Sequence, residues 1–240
     1  MFTFNSSKPI SPCQIMPVQR SYLKESQAKP IGKKDILIHA SYVTRPFSNN
    51  SLSVMSKTFH NLELYHKMSE DILVHGPSNP DEYNNFGLGL DFLKKLPHKT
   101  NIEIPSFSKK LLATIDDHFK FVDEYLNNIV INDFPIVLDT AHLHANGLST
   151  KEMILLFDKY KDNYKYIHLN GNEKNKFLSD VHCPITSELN KMTNVDLLLK
   201  SMPHDKIIIS ESPCRDWDYW VELCKKYKFK LIDFDEALNY

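Results

Sequence analysis

The chain has 240 residues, a formal net charge of −1, and 42% hydrophobic and 25% charged residues, which is ordinary for a globular protein. Its four cysteines form no CxxC pair and its six glycines form no GxGxxG or GxxxxGK[ST] loop, which argues against a cysteine zinc ribbon, a disulfide scaffold or a phosphate-cradling loop. No apolar run reaches the ~18 residues of a membrane helix, and the N-terminus lacks the pattern of a signal peptide, so we expect an intracellular protein.

Short apolar runs recur along the chain at roughly the spacing of a βαβ unit, and stretches with helical periodicity separate them. Because most runs show no alternation, they predict strands buried on both faces, as in a parallel sheet. The helical stretches include 51–69, 108–129 and 216–228. The predicted strands are "MFTF", "DILIHA" (35–40), "DILVHG" (71–76), "TNIEI" (100–104), "FPIVLD" (134–139), "YKYIHLN" (164–170), "DKIIISE" (205–211) and "FKLIDFD" (229–235). No linker divides them, so the pattern predicts one α/β domain, residues 1–240, folded as a TIM-type (β/α) barrel.

Ionisable side chains stand at or near the ends of most predicted strands. Because the carboxyl ends of barrel strands converge on one face, we expect these side chains to meet at a single rim. Burying several ionisable groups together costs several kcal/mol each unless cations compensate their charge. Nitrogen and oxygen donors without thiolate suit Zn²⁺, with Mn²⁺ or Fe²⁺ as alternatives, and there are more donors than one ion needs. The candidate metal ligands are His39, His75, Glu103, Asp139, His142, His168, Asp180, His182 and Glu211.

The other histidines fall in helical or loop stretches, and we assign them structural roles. His144 competes with His142 as a ligand because a single residue separates the two, and we prefer His142. The histidines in this structural group are His60, His66, His98, His118, His144 and His204.

The order of these motifs resembles endonuclease IV, a family of zinc-dependent apurinic/apyrimidinic endonucleases built on a TIM barrel. "HASYV" is similar to the family's HxxYL segment, "LVHG" to its strand ending in His-Gly, and "IEIP" to its "LEN" segment. Further along, "VLDTAHLHANG" is similar to "DTCHxxAAG", "IHLNG" to "HLND", "SDVH" to "DRH", and "ISESP" to "LET". Each motif is weak alone, but together they are specific, and they cover the chain from His39 to Glu211.

The resemblance implies three zinc ions, with Glu103 bridging the first and the second. The implied ligand sets are His39, His75 and Glu103; Glu103, Asp139, His168 and Glu211; and His142, Asp180 and His182. The implied reaction belongs to base excision repair: hydrolysis of the phosphodiester 5′ to an abasic site in double-stranded DNA, leaving a 3′-hydroxyl. We expect Glu103, Asp139 and Glu211 to be the catalytically essential residues.

The resemblance also implies contacts to DNA. Tyr42 and Val43 fall where the family inserts side chains into the DNA at the damaged site. Basic loop residues that face the mouth would contact phosphates, although each could equally be solvated surface charge. These basic residues are Lys8, Arg45, Lys174 and Lys176.

The chain looks shortened at its start relative to the family. "MFTFNSSKPIS" resembles the family's second strand, so the family's first strand has no clear equivalent. A barrel lacking one strand would leave two open edges, and we hypothesise that "LIDF" (231–234) fills the gap beside "MFTF". The alternative is a C-terminal tail packed outside the barrel.

Two other functional interpretations stay open. A xylose-isomerase-like sugar isomerase or epimerase would use a similar barrel with one Mn²⁺ or Mg²⁺, and a DNA-binding or scaffold subunit would need no catalysis. We expect a monomer with no nucleotide cofactor and no membrane association. The Gly-poor composition rich in Lys, Asn and Ile indicates an AT-rich genome, microbial or viral.

Overall fold

The computed structural model describes residues 2–4, 13–18, 20–31, 36–48, 52–212 and 217–230. Eight parallel strands in these residues form one sheet. They are β1 (Phe2–Phe4), β2 (Cys13–Ile15), β3 (Ile36–His39), β4 (Asp71–His75), β5 (Thr100–Glu103), β6 (Ile136–Asp139), β7 (Tyr166–His168) and β10 (Ile207–Ser210). A separate antiparallel hairpin consists of β8 (Gly171–Asn172) and β9 (His182–Cys183).

Helices occupy the connections between the strands. They are α1 (Leu52–Met68), α2 (Pro80–Asn84), α3 (Phe86–Leu93), α4 (Lys109–Leu112), α5 (His118–Ile131), α6 (Thr140–Ala145), α7 (Thr150–Lys159), α8 (Val195–Ser201) and α9 (Trp217–Tyr227). Within the described ranges, no helix has the length and apolar character needed to cross a membrane.

The single helix predicted over 108–129 is two helices, because two side chains cap separate N-termini. Ser108 accepts from the backbone N–H of Leu111 at the start of α4, and Asp117 accepts from that of Lys120 at the start of α5. Each cap satisfies an N–H group that the first helical turn leaves without an intrahelical partner. The chain therefore begins a new helix at each of these residues.

The sheet confirms the TIM-type (β/α) barrel. Its strands follow the order β1-β10-β7-β6-β5-β4-β3-β2, and each neighbouring pair is parallel. The two ends of this order, β1 and β2, contact each other, so the sheet curls into a nearly closed barrel. From β3 to β10, each connection between consecutive strands of this sheet contains at least one α-helix, as this fold requires.

The closure of the barrel differs from the prediction. Phe2–Phe4 pairs directly with Ile208–Ser210, which leaves no slot for a strand from 231–234 between them. Residues 231–234 themselves lie outside the described part of the chain. The position beside β3 belongs to Cys13–Ile15, which was not predicted. That strand has three residues with a glutamine at its centre, so no apolar run marks it in the sequence.

An apolar layer fills the barrel below the polar rim. Leu37, Leu73, Val137, Tyr166 and Ile209 are each 0% exposed and pack against one another. Each stands two residues before a predicted metal ligand. Because residues two apart on a strand point to the same face, the next inward-pointing side chains are the predicted ligands.

We expect Leu73→Ala to lower the free energy of unfolding by about 2–5 kcal/mol, because it leaves a cavity inside this closed layer. Chemical denaturation measures the change. The matched control is Leu155→Ala on α7, where the side chain is 59% exposed and the expected change is within about 0.5 kcal/mol. If both substitutions cost equally little, the layer is not a packed core.

His66, one of the histidines assigned a structural role, gives a second test of the packing around the barrel. It is buried on α1 with Nε2 3.4 Å from Thr100 Oγ1. Burial, with a smaller contribution from His98, lowers the pKa of His66 to about 4. An unfolded chain carries histidine with a pKa near ~6.5, so it binds more protons than the folded state between these values. Stability therefore falls as the pH decreases through this range.

We predict that His66→Gln flattens the dependence of the unfolding free energy on pH between about 4 and 6.5, relative to the unsubstituted protein. Urea denaturation at several pH values measures both slopes. Equal slopes would mean that His66 is not held neutral in the fold.

Candidate metal centre

The register of the sheet brings the predicted ligands together at the carboxyl end of the barrel. His75 stands opposite Glu103 in the β4–β5 pair, and Asp139 stands opposite His168 in the β6–β7 pair. His75 Nε2 lies 3.0 Å from Glu103 Oε2. Side chains from distant parts of the sequence therefore meet because each is the last residue of its strand.

Glu103 is the centre of this cluster. Its side chain is completely buried, and imidazoles from three other strands surround its carboxylate. His168 Nδ1 lies 2.7 Å from Oε1, whereas His39 Nε2 lies 3.5 Å from Oε2, on the side that also faces His75. Burial alone would raise the pKa of Glu103, but His168 and His75 lower it well below its usual range. The carboxylate is therefore an anion shared by two sets of histidines.

Three groups of side chains have the spacing that a shared cation requires. Within each group, one nitrogen or oxygen atom per residue lies within 4.8 Å of the others. The groups are His39, His75 and Glu103; Glu103, Asp139, His168 and Glu211; and Asp139, His142 and His182. The first two match the ligand sets that the resemblance implies, and the third contains Asp139 where Asp180 was expected.

Asp180 also contacts the third group. Its Oδ2 lies 3.1 Å from His142 Nε2, and its Oδ1 lies 3.0 Å from His182 Nε2. Burial alone would raise the pKa of Asp180, but its contacts with both imidazoles lower it far below its usual range. Asp139 Oδ2 is 3.8 Å from His182 Nε2. The third group therefore has two candidate carboxylate ligands.

Main-chain carbonyls orient two of the histidines. His39 Nδ1 lies 2.8 Å from the carbonyl oxygen of Ala40, and His142 Nδ1 lies 2.7 Å from that of Ile104. A ring N–H that donates to a carbonyl leaves the other ring nitrogen with a free lone pair. In both residues that second nitrogen faces a carboxylate of the cluster. Metal-ligating imidazoles are held in this way.

The carboxylates of the cluster favour the protonated form of two of its histidines. Burial alone would lower the pKa values of His168 and His182, but the surrounding carboxylates raise both to about 9. Glu211 is the largest of these influences on His168, and Asp139 is the largest on His182. A metal ion that binds these nitrogens must displace their protons.

The donor set fits divalent metal ions. Among the described residues, Glu103 Oε2, Asp180 Oδ1 and His182 Nε2 are buried without a hydrogen bond of good geometry, although each lies near an opposite charge. Such a buried polar atom costs about 1–3 kcal/mol. Glu103 belongs to the first and second groups and His182 to the third, and Asp180 lies beside the third. Imidazole and carboxylate donors without thiolate suit zinc, and cations at these positions would satisfy all three atoms.

Two buried amides connect the candidate ligands, and neither was predicted from the sequence. Asn170 donates from Nδ2 to Asp139 Oδ2 at 2.8 Å and accepts from the backbone N–H of Glu211 at 2.9 Å. Gln14 contacts His168 and Glu211. The position of Asn170, two residues after His168 at a buried strand end, was a usable signal. Gln14 gave none, because its strand was not recognised.

His144 stays outside the three groups. It is buried, its Nδ1 lies 3.5 Å from Asn172 Nδ2, and burial lowers its pKa to about 4. The structure thus places His142 at the rim and gives His144 the surroundings of a structural histidine.

Tyr42 stands beside the cluster at the mouth of the barrel. Its side chain is 46% exposed and its ring centroid lies 5.4 Å from that of His75. Burial of its inner part raises the pKa of Tyr42, and Glu211 adds to this effect, whereas exposed Arg20 lowers it. Arg20 is therefore a basic residue whose charge acts on Tyr42, and it was not predicted. Val43, the next residue, is half-buried.

The basic residues predicted to contact phosphates differ in their surroundings. Arg45 lines a cavity of about 200 Å³ beside the rim, with Nη1 3.7 Å from Glu82 Oε1. Lys176 donates to the carbonyl oxygen of Gly147 at 2.7 Å. Lys174 is exposed, and Lys8 lies outside the described residues. Of the three that the structure describes, Arg45 has the position closest to the one expected.

The fold and the rim define a TIM-type barrel with a candidate polynuclear metal centre. Endonuclease IV from Thermus thermophilus matches it with a TM-score of 0.63 at 14% identity, over 95% of this chain and 97% of that chain. The crystal structure of AsfvAP:AG matches with a TM-score of 0.60 at 14% identity, over 90% of this chain and 83% of that one. The fold is therefore that of the endonuclease IV barrel.

A putative sugar phosphate isomerase/epimerase from Anabaena variabilis gives a TM-score of 0.47 at 13% identity, over 79% of this chain and 65% of that chain. No protein-family model matches the chain, and neither does the sequence of any curated protein.

Proposed function

We propose that the protein is an apurinic/apyrimidinic endonuclease that cleaves double-stranded DNA 5′ to an abasic site through three zinc ions. The observation that carries the proposal is the convergence of three overlapping donor groups on Glu103 and Asp139. The likeness of the fold to endonuclease IV supports DNA as the substrate. The presence of residues 2–4 and 207–210 in one sheet supports a single barrel domain over residues 1–240.

Glu103 and Asp139 would link the three ions. Glu103 Oε2 faces His39 and His75 while Oε1 faces His168, so this carboxylate can serve the first and second groups together. Asp139 belongs to both the second and the third group. Divalent cations held by these residues would supply an activated water and would neutralise the charge of a phosphodiester. The two carboxylates would fix the ions as one unit.

The third group would act at the leaving side of the scissile bond. Asp180 Oδ2 lies 3.1 Å from His142 Nε2 and Asp180 Oδ1 lies 3.0 Å from His182 Nε2, so these three side chains could hold a cation beside Asp139. A positive centre there would stabilise the 3′-oxygen as the bond to phosphorus breaks, so no strong general acid is needed. A sugar isomerase that uses one ion has no need of this group, and its presence favours phosphodiester hydrolysis.

Tyr42 would enter the DNA at the damaged site. An abasic nucleotide lacks stacking and pairing, so extruding it costs less than extruding an intact one.

We predict that Tyr42→Ala raises the half-saturating enzyme concentration in single-turnover cleavage about tenfold, since an aromatic–base contact contributes about 1–3 kcal/mol. Zinc content should not change, and Tyr42→Phe should behave like the unsubstituted protein. An unchanged half-saturating enzyme concentration in Tyr42→Ala would mean that Tyr42 does not contact the DNA.

The direct test is a nicking assay on a duplex with one abasic site and on the same duplex without it. We expect a cut 5′ to the abasic site, a 3′-hydroxyl that a polymerase extends, and complete loss of cutting after chelation. Binding without any chelator-sensitive cut would favour a scaffold role and contradict the proposed function. The compartment and the oligomeric state stay predictions.

A further inference from the structure

We propose that Gln14 is a positioning residue of the metal centre: it fixes the tautomer of His168 and anchors Glu211, so that both present free donor atoms to the same ion. The inference rests on the proposed function, because it assumes that the second donor group holds an ion. It adds a residue from β2, the strand that was not predicted.

The two ends of the Gln14 amide have different partners. Gln14 is 0% exposed. Its Oε1 lies 2.7 Å from His168 Nε2, and its Nε2 donates to Glu211 Oε1. The reverse orientation would set the amide oxygen against the carboxylate of Glu211, which also carries only acceptors. The carboxylate of Glu211 thus fixes the orientation of the Gln14 amide. Because the amide oxygen can only accept a hydrogen bond, the His168 Nε2 that faces it must carry a proton.

A proton on Nε2 leaves the other ring nitrogen of His168 as the metal donor. Nδ1 lies 2.7 Å from Glu103 Oε1 and 3.3 Å from Glu211 Oε2. The Gln14 contact occupies the other oxygen of Glu211 and leaves Oε2 facing the same space. The Gln14 amide would therefore orient His168 Nδ1 and Glu211 Oε2 towards the same ion.

The position of Gln14 suits this role. Main-chain carbonyls of Ala40 and Ile104 orient His39 and His142, whereas the corresponding acceptor for His168 is the side chain of Gln14. A buried amide costs free energy unless both of its ends are hydrogen-bonded, and both ends of Gln14 are. Its partners lie 154 and 197 residues away in the sequence, so it joins β2 to β7 and to the end of β10.

Two substitutions separate the two contacts. Gln14→Met keeps the length of the side chain and removes both hydrogen bonds. Gln14→Glu keeps an acceptor for His168 and removes the donor to Glu211. Gln27→Met is the control, because Gln27 is exposed and accepts only from the backbone N–H of Lys24 within its own turn. Circular dichroism checks the fold of each variant.

The first readout is zinc affinity by chelator competition. Loss of a group that orients a metal ligand weakens binding about 10- to 100-fold, and we expect this for one ion in Gln14→Met and for none in Gln27→Met. The second readout is the tautomer of His168 in the zinc-loaded protein, from ¹⁵N-histidine NMR with His168→Gln as the assignment reference. We expect a proton on Nε2 in the unsubstituted protein and in Gln14→Glu.

The outcomes distinguish this inference from the proposed function. Zinc binding with equal affinities in Gln14→Met and the unsubstituted protein would overturn the role of Gln14 and leave the metal centre intact. A proton on Nδ1 of His168 in the zinc-loaded, unsubstituted protein would also overturn the role of Gln14, and it would not require a variant. Absence of zinc binding in the unsubstituted protein would overturn the proposed function and this inference together.

Discussion

Glu103→Gln is expected to lower the rate of chelator-sensitive nicking at an abasic site by about a thousandfold or more, since losing a shared ion removes several kcal/mol of transition-state stabilisation. Glu103 is completely buried, and its two oxygens face different sets of histidines. A glutamine has one acceptor oxygen and one amide nitrogen, so it cannot serve two cations. The variant should also retain fewer zinc ions than the unsubstituted protein.

The matched control for this prediction is Asp71→Asn. Asp71 begins β4, the strand that ends at His75, but it lies at the opposite end of the barrel. There it accepts from Lys165 Nζ at 2.9 Å and from the Tyr166 hydroxyl at 2.6 Å. We expect Asp71→Asn to keep its zinc ions and its nicking rate. Near-normal cleavage by Glu103→Gln would mean that Glu103 is not needed for the reaction and does not bridge the first and second ions.

Removing the metal ions is the second change with a large expected effect. A cation present at a thousand times its dissociation constant stabilises the fold by about 4 kcal/mol, which corresponds to a melting temperature about 8–16 °C higher for a chain of this size. We therefore expect chelation to lower the melting temperature by at least this amount. The cause is the set of buried carboxylates and imidazoles, which lose the charge that compensates them.

Differential scanning calorimetry with and without chelator measures this shift. Adding Zn²⁺ back should restore the melting temperature, whereas Mg²⁺ should not, because Mg²⁺ prefers oxygen ligands. Glu103→Gln provides the internal control, since a weakened centre should lose less stability on chelation. Identical melting temperatures before and after chelation would show that the cluster holds no ion that matters for stability.

The ligands at the rim could be predicted because most of them stand at or near the end of an apolar run. His39, His75, Asp139 and His168 each stand at the last position of a buried strand, and the barrel architecture then brings those positions together. Most of the buried strands have no alternation, so their sequences do not show which side chains point into the barrel and which point outward. The two-residue offset between apolar layer and ligands became clear only with the register.

The N-terminal part of the barrel could be predicted only in part, because short strands carry little signal: "MFTF" was predicted as a strand, which Phe2–Phe4 confirms, whereas Cys13–Ile15 was not predicted. Phe2–Phe4 and Cys13–Ile15 have three residues each, too few for a periodic pattern to separate alternatives. Placing "MFTF" as the family's second strand left an apparent gap, whereas the structure pairs it with β10. Gln14 was missed for the same reason. A polar residue inside an unrecognised strand looks like a loop residue.

Asp180 shows a limit of another kind. Its carboxylate was predicted to be a ligand because it lies in the loop after the His168 strand, not because it ends a strand, and the resemblance then assigned it to the third ion. It lies in the segment between β8 and β9, so only the folded hairpin shows that it reaches both His142 and His182.

The central claim is that one rim holds several divalent cations, and the metal content of the purified protein tests it most directly. Mass spectrometry of inorganic elements gives the number of ions per chain after dialysis against metal-free buffer. Three zinc ions per chain, falling to two or fewer in Glu103→Gln, is the result that we predict. One ion per chain would instead favour a sugar isomerase, and none would contradict the metal centre altogether.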